Sequence, residues 1–300
     1  LQNLEQLPMP VVVVIKDVNS KTDTVNLPVE IWQRGDTWTF RYPSAVKLSS
    51  VVIDPAGDFP DINPANNSWK AETGKPIPAG TTATTVLNNY LNAIGGVDKI
   101  KALKDYTLQE EGDASGTQME VTVKFKQPDK MSQEIYIPMA SMQAMKLLID
   151  GNNVKMFQKG KEMSLSAADK AILKDKSILL PELYFISPEN NVKLELAPLT
   201  EEVNGAQTYV LNIATSNGVL MRNYYDVKTG LKIRTVFLAG QEGGSPETVA
   251  DLSDYQEIEG GIKLPFTASS VSKGSNVSYI LTLHVKKVTV NSGLSDEEFK

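Results

Sequence analysis

The chain has 300 residues, 41% apolar and 22% charged, enough for sizeable cores in one or two domains. Its 30 Lys+Arg against 36 Asp+Glu leave a net charge of -6, which offers phosphate backbones no attractive field and argues against a nucleic-acid partner. With no cysteine, disulfides, zinc-thiolate sites, iron–sulfur clusters and a cysteine nucleophile are excluded.

The first stretch is β-prone. Residues 11–15, 24–32, 37–42 and 48–53 are strand-sized and rich in Val, Ile, Thr and Trp. Trp38 and Phe40 share a face, and Arg34-Gly35-Asp36 ahead of them supplies turn chemistry, so a hairpin is expected there. Residues 54–67 are crowded with Pro, Asp, Asn and Gly and read as an exposed structured loop. Asp54, Asp58 and Asp61 with Asn63, Asn66 and Asn67 offer oxygen ligands, but their spacing does not fit a twelve-residue calcium loop. Turn chemistry explains them better. Residues 71–82 have linker composition, which sets the expected domains at 1–70 and 83–300.

The second stretch opens on a helix signal. Thr81, Thr82 or Thr84 can cap it, Val86, Leu87, Tyr90, Leu91 and Ile94 form its apolar stripe, and Gly95-Gly96 stops it. A short second helix follows, with Val97, Ile100 and Leu103 on its apolar side, giving helical sequence over 83–104. From Tyr106 the period changes to two: Met119, Val121, Val123 and Phe125 share a face, as do Met131, Gln133, Ile135 and Ile137. Similar alternation around residues 145–149, 154–156, 192–196, 209–213, 219–221, 231–233, 262–266 and 279–285 brings the total to roughly ten strands in a curved antiparallel sheet. Residues 166–185 interrupt it with helical sequence broken at Pro181. Gly240 to Ser245 reads as a hairpin tip. The expected fold is mainly β (α+β): a small β-sandwich-like N-terminal domain, then a curved antiparallel half-barrel packed on helices.

No catalytic, cofactor or metal residue is assigned. His284 is the single histidine, on the polar side of its strand and read as a solvent-side residue; a Ser-His-Asp triad would have to be built around it alone, and a His-Glu-x-x-His zinc site, which needs two histidines, is excluded. The pairs Glu110-Glu111, Glu201-Glu202 and Glu297-Glu298 are adjacent in sequence and would point to opposite faces of a strand. Methionine is the informative excess, at Met119, Met131, Met139, Met142, Met145, Met156, Met163 and Met221. Adaptable thioethers suit either an ordinary core or a lipid-binding concavity. The apolar segment 178–185 would close that concavity. The candidate lining is Met119, Val121, Val123, Phe125, Met145, Leu147 and Met156 from strands, with Leu179, Leu180, Leu183 and Phe185 from the lid.

Two stretches carry resemblances. Residues 27–40, with Leu27-Pro28-Val29-Glu30-Ile31-Trp32 and Thr37-Trp38-Thr39-Phe40, and residues 53–69, with Pro60-Asp61-Ile62-Asn63-Pro64, together resemble the C-terminal tail of bacterial gluzincin aminopeptidases. That resemblance implies an exported zinc metallopeptidase whose catalytic domain precedes Leu1. The abrupt start ahead of a strand-like segment points the same way. Residues 86–103, with Gly95-Gly96, and the closing Ser295-Asp296-Glu297-Glu298-Phe299-Lys300 resemble the outer-membrane lipoprotein carrier superfamily. This second resemblance implies a curved sheet over helices with an apolar concavity for acyl chains, lipid or lipoprotein as partner, and a periplasmic or outer-membrane-associated location. The joint expectation is a non-catalytic accessory region of an exported metallopeptidase, with a lipid or lipoprotein carrier as the alternative. No run approaches the roughly 20 apolar residues of a membrane span.

Overall fold

The computed structural model describes the chain except for residues 4–7, 18, 20, 47, 59–65, 72–73, 179, 239–246 and 274–277. The chain divides into two compact units, Leu1–Thr73 and Gly74–Lys300.

In the first unit, β1 (Val11–Asp17), β2 (Thr22–Leu27), β3 (Leu48–Ile53) and β4 (Ser68–Lys70) form one antiparallel sheet in the order β2-β1-β3-β4. Val11, Val13 and Ile15 alternate onto the buried face of β1 and pack with Ile31, Trp32, Trp38 and Phe40. Among the described residues this is a single four-stranded sheet, where the sequence suggested the facing sheets of a sandwich. The expected strand over 24–32 ends at Leu27, because Pro28 has no N–H to continue a ladder, and Val29–Arg34 turns into a 3-10 helix instead. Among the described residues the hairpin expected around Trp38 is also absent. Thr37 forms only an isolated bridge with Gln2, and the two aromatic side chains cover the core rather than extend the sheet. Asp61 and Asn63 of the Asp/Asn-rich loop lie outside the described residues, as does the tip from Gly240 to Ser245.

The second unit begins with a segment of linker composition that is nonetheless docked. The Thr200 N–H donates to Lys75 O, and the Lys75 N–H donates to Thr200 Oγ1, both at 2.9 Å. Gly74 permits this approach, since a Cβ there would sit 1.6 Å from Thr200 O. Helix α1 (Ala83–Ala93) follows, capped by Thr82 Oγ1, which accepts from the Thr85 N–H. Val86, Leu87, Tyr90, Leu91 and Ile94 are all buried. Gly95 ends the helix against the turn at Gly260-Gly261, where a Cβ would lie 2.5 Å from Gly261 O. Helix α2 (Val97–Ala102) then leads into the sheet.

The sheet contains β5 (Asp105–Ala114), β6 (Thr117–Lys126), β7 (Lys130–Ile137), β8 (Met142–Asp150), β9 (Asn153–Gln158) and β10 (Lys161–Glu162) before the helical insertion. After it come β11 (Lys193–Leu196), β12 (Glu201–Val203), β13 (Ala206–Ala214), β14 (Leu220–Asp226), β15 (Lys232–Phe237), β16 (Thr248–Ile258), β17 (Ile262–Lys273) and β18 (Ser278–Val290). All fourteen belong to one open sheet, ordered β10-β9-β8-β7-β6-β5-β18-β17-β16-β15-β14-β13-β11, with β12 also on β13. The last strand pairs antiparallel with the first, so two meanders are joined through β18 and β5. The insertion comprises α3 (Ala167–Lys174), with a Ser166/Asp169 capping box, a 3-10 turn Asp175–Ser177, and α4 (Pro181–Ile186). Pro181 stands in the first turn of α4, where its missing N–H costs nothing.

The chain end is clasped to the sheet. Asp296–Phe299 forms a 3-10 turn with its own Ser295/Glu298 capping box. Lys124 pairs with Glu298, Lys126 with Asp296, and Phe299 is 1% exposed.

Candidate functional site

A cavity of about 550 Å³ lies inside the second unit. That volume falls within the roughly 300–1,000 Å³ of small-molecule sites. One wall comes from Tyr106 and Leu108 on β5, Val123 and Phe125 on β6, and Met131 and Gln133 on β7. The facing wall comes from Met221 and Asn223 on β14, with Lys232, Thr235 and Phe237 on β15. Thr215 and Val219 close one side, and Ile172, Asp175, Ile178, Pro181 and Phe185 of the helical insertion cover it.

The sheet order makes this convergence informative. β5 and β15 are separated by β18, β17 and β16. Four strand spacings in a flat sheet would hold them about 19 Å apart. Both strands nonetheless line the same cavity.

The insertion is held across the opening by polar bonds to both meanders. Lys174 Nζ donates to Asn152 Oδ1 in the β8–β9 turn at 2.6 Å. Asp175 accepts from Thr215 Oγ1 at 2.9 Å and from Asn217 Nδ2 at 2.6 Å in the β13–β14 turn. The third anchor is buried: Lys232 Nζ donates to Glu182 Oε1 at 2.6 Å, and the Tyr225 hydroxyl donates to the same oxygen at 3.3 Å. Burial, reinforced by the Glu182 carboxylate, pushes the Tyr225 hydroxyl well above its ordinary range, so it remains a donor. The Lys232 ammonium also lies 5.5 Å from the Tyr90 ring centre, a cation–π placement.

Two acceptors in this cluster, Glu182 Oε2 and Asn223 Oδ1, have no hydrogen-bond partner among the described residues. Asn223 is 1% exposed, and its amide nitrogen donates to Tyr225 Oη at 3.2 Å. A second carboxyl shares the inner face of β5 with Tyr106 and Leu108: Glu110, whose burial raises it to about 7.

Of the lining expected from sequence, Val123, Phe125 and Phe185 stand at the cavity. Met119, Val121, Met145, Leu147 and Met156 belong instead to a packed cluster beside it, around Ile149 and Val154. Leu180 and Leu183 pack on the main core with α1, and Leu179 lies outside the described residues. Met131 and Met221 do reach the cavity, whereas Met139 is 90% exposed. Glu182, Asn223 and Lys232 were not singled out from sequence. The only signal available was one glutamate inside an otherwise apolar segment.

His284 is exposed, with its Nδ1 3.2 Å from Thr267 Oγ1. Among the described residues no group of three or more His, Asp or Glu side chains could hold a metal ion, and no helix is long and apolar enough to cross a membrane.

No protein-family model matches the sequence, and no curated protein does. Among solved structures, the chain is similar to a LolA superfamily protein from Nitrosomonas europaea, with 12% identity, a TM-score of 0.48, and coverage of 74% of this chain and 98% of that one. It is also similar to a DUF1329 family protein from Desulfovibrio piger, with 13% identity, a TM-score of 0.48, and coverage of 73% and 97%. At such identities and scores these likenesses carry no weight for ligand or activity, which rest on the cavity itself.

Proposed function

We propose that residues 74–300 form a non-catalytic module that holds an acyl or alkyl chain between the sheet and the helical insertion. The observation that carries this reading is the 550 Å³ cavity, whose walls are mainly aliphatic and aromatic. Each methylene buried there contributes about 0.8 kcal/mol, so affinity should rise roughly fourfold per added carbon until the cavity is full.

The test is binding of the neutral fluorophore N-phenyl-1-naphthylamine, with alkyl ligands of increasing length as competitors. Saturable fluorescence and a chain-length dependence that levels off are expected. Leu108→Trp, which fills the space from the β5 wall, should weaken probe binding about tenfold or more while far-UV circular dichroism stays unchanged. An unbound probe, or equal binding by Leu108→Trp, would remove the reading.

The resemblance of residues 27–69 to an aminopeptidase tail supports a wider setting, in which this module is an accessory region of an exported zinc metallopeptidase, periplasmic or outer-membrane-associated. The coding sequence ahead of Leu1 tests that. A His-Glu-x-x-His helix is the expected result, and its absence from the parent gene ends this part of the proposal.

A further inference from the structure

We infer that the cavity selects amphiphiles with an uncharged hydrogen-bonding head, a hydroxyl or a primary amide, seated at Asn223 and Lys232. The inference rests on the alkyl-chain reading above and adds the chemistry of the head.

Asn223 Oδ1 is a buried acceptor without a partner among the described residues, on a residue that lines the cavity. One of its two amide N–H groups donates to Tyr225 Oη. A buried carbonyl oxygen left unpaired is costly, and a donor supplied by a ligand recovers that cost. Lys232 also lines the cavity and has three N–H groups, of which Glu182 takes one. One acceptor and spare donors at the same end of an apolar chamber match a group that both donates and accepts.

Charge decides against ionised heads. Lys232 is already neutralised by Glu182, whose other oxygen is unpartnered, and Asp175 adds a second carboxylate to the lining. A fatty-acid carboxylate would bring another negative charge into this low-dielectric space. An alkylammonium would meet the Lys232 ammonium. A hydroxyl can donate to Asn223 Oδ1 and accept from Lys232 with no charge left unmatched.

The experiment compares 1-dodecanol, dodecanoate and dodecylammonium as competitors of N-phenyl-1-naphthylamine at pH 7.5, the alcohol below its solubility limit and the two ions below their micellar concentrations. Dodecanol should compete at about tenfold lower concentration than either ion. Asn223→Leu should reduce that advantage to threefold or less, and Asn223→Asp should transfer it to dodecylammonium. The ranking in the unmodified protein stands even where a variant does not fold. Dodecanoate competing as well as dodecanol, or an Asn223→Leu protein that keeps the full preference, would overturn the inference while leaving alkyl binding intact. A probe that never binds would instead remove the underlying alkyl-chain reading, and this one with it.

Discussion

Strands β6–β9 and strands β14–β15 stand at opposite ends of one sheet, and both turn apolar side chains toward the helical insertion. The first group fills its own space. Val121, Leu147, Ile149 and Val154 are almost fully buried, with Met119, Met145 and Met156 packed around them. The second group interrupts its apolar face with Asn223, Lys232 and Thr235 at one wall of the cavity, whose other wall takes Val123, Phe125, Met131 and Gln133 from the first group. Flexible methionines can close irregular gaps, whereas an amide and an ammonium held by fixed hydrogen bonds cannot collapse into one. The open volume lies between those pinned polar groups and the part of the apolar cluster formed by Val123, Phe125 and Met131.

The largest expected effect comes from breaking the pinned end. Lys232→Met strands Glu182 in the interior without its counter-ion, which should cost about 3–5 kcal/mol in urea unfolding. Replacing Glu182 by Leu in the same protein should recover most of that loss, because the buried charge is gone. A single substitution costing under about 1 kcal/mol would show that the pair does not hold the insertion.

The methionine-bearing end has its own closure from outside. Lys124 and Lys126 alternate to the face of β6 opposite Val123 and Phe125 and engage the C-terminal 3-10 turn, with Phe299 buried beneath it. Phe299→Ala should cost about 3–4 kcal/mol. The midpoint of urea unfolding should fall, and the protease-resistant core should lose the chain end first.

Between the two ends, Glu110 makes stability depend on pH. Its carboxyl has an ordinary value of 4.5 and is raised by burial to about 7 in the folded protein. The folded state therefore binds its proton more tightly than the unfolded state, and this group's penalty is absent below about pH 4.5. Stability is lost as pH rises from there to about 7, by on the order of 3 kcal/mol. Glu110→Gln should flatten that slope, which thermal unfolding at pH 5, 6, 7 and 8 would reveal. An unchanged slope would place the titration elsewhere.

The parts legible from sequence were those in which one chemical pattern maps onto one face. Val86, Leu87, Tyr90, Leu91 and Ile94 marked α1 because a helix repeats every 3.6 residues, and all five are buried. Alternation likewise marked β6–β8. Strand β16 escaped notice, since Thr248–Ile258 carries Asp251, Ser253, Asp254 and Gln256 among few apolar residues. Its membership in the sheet comes from pairing with β15 and β17, which local composition does not encode. The cavity was harder still. Alternation identifies the inward face but not the space left after side chains interdigitate, so Met145 and Val123 looked equivalent although only Val123 borders the opening. Glu182 and Lys232 lie 50 positions apart, and only the folded sheet joins them.

The smallest effects test whether the methionines are filler or lining. Met145 and Met156 pack beside Leu147 on neighbouring strands, away from the cavity wall. Leucine has nearly the same volume, so Met145→Leu and Met156→Leu should each change stability by less than about 1.5 kcal/mol. Neither should alter affinity for the naphthylamine probe. Met221→Leu is the matched control, because Met221 borders the open space. There a branched, stiffer side chain should shift probe affinity and move the chain length at which binding levels off. Equal responses at Met145 and Met221 would mean that the cavity reaches into the methionine cluster when occupied, and the division between a packed end and an open end would hold only for the empty protein.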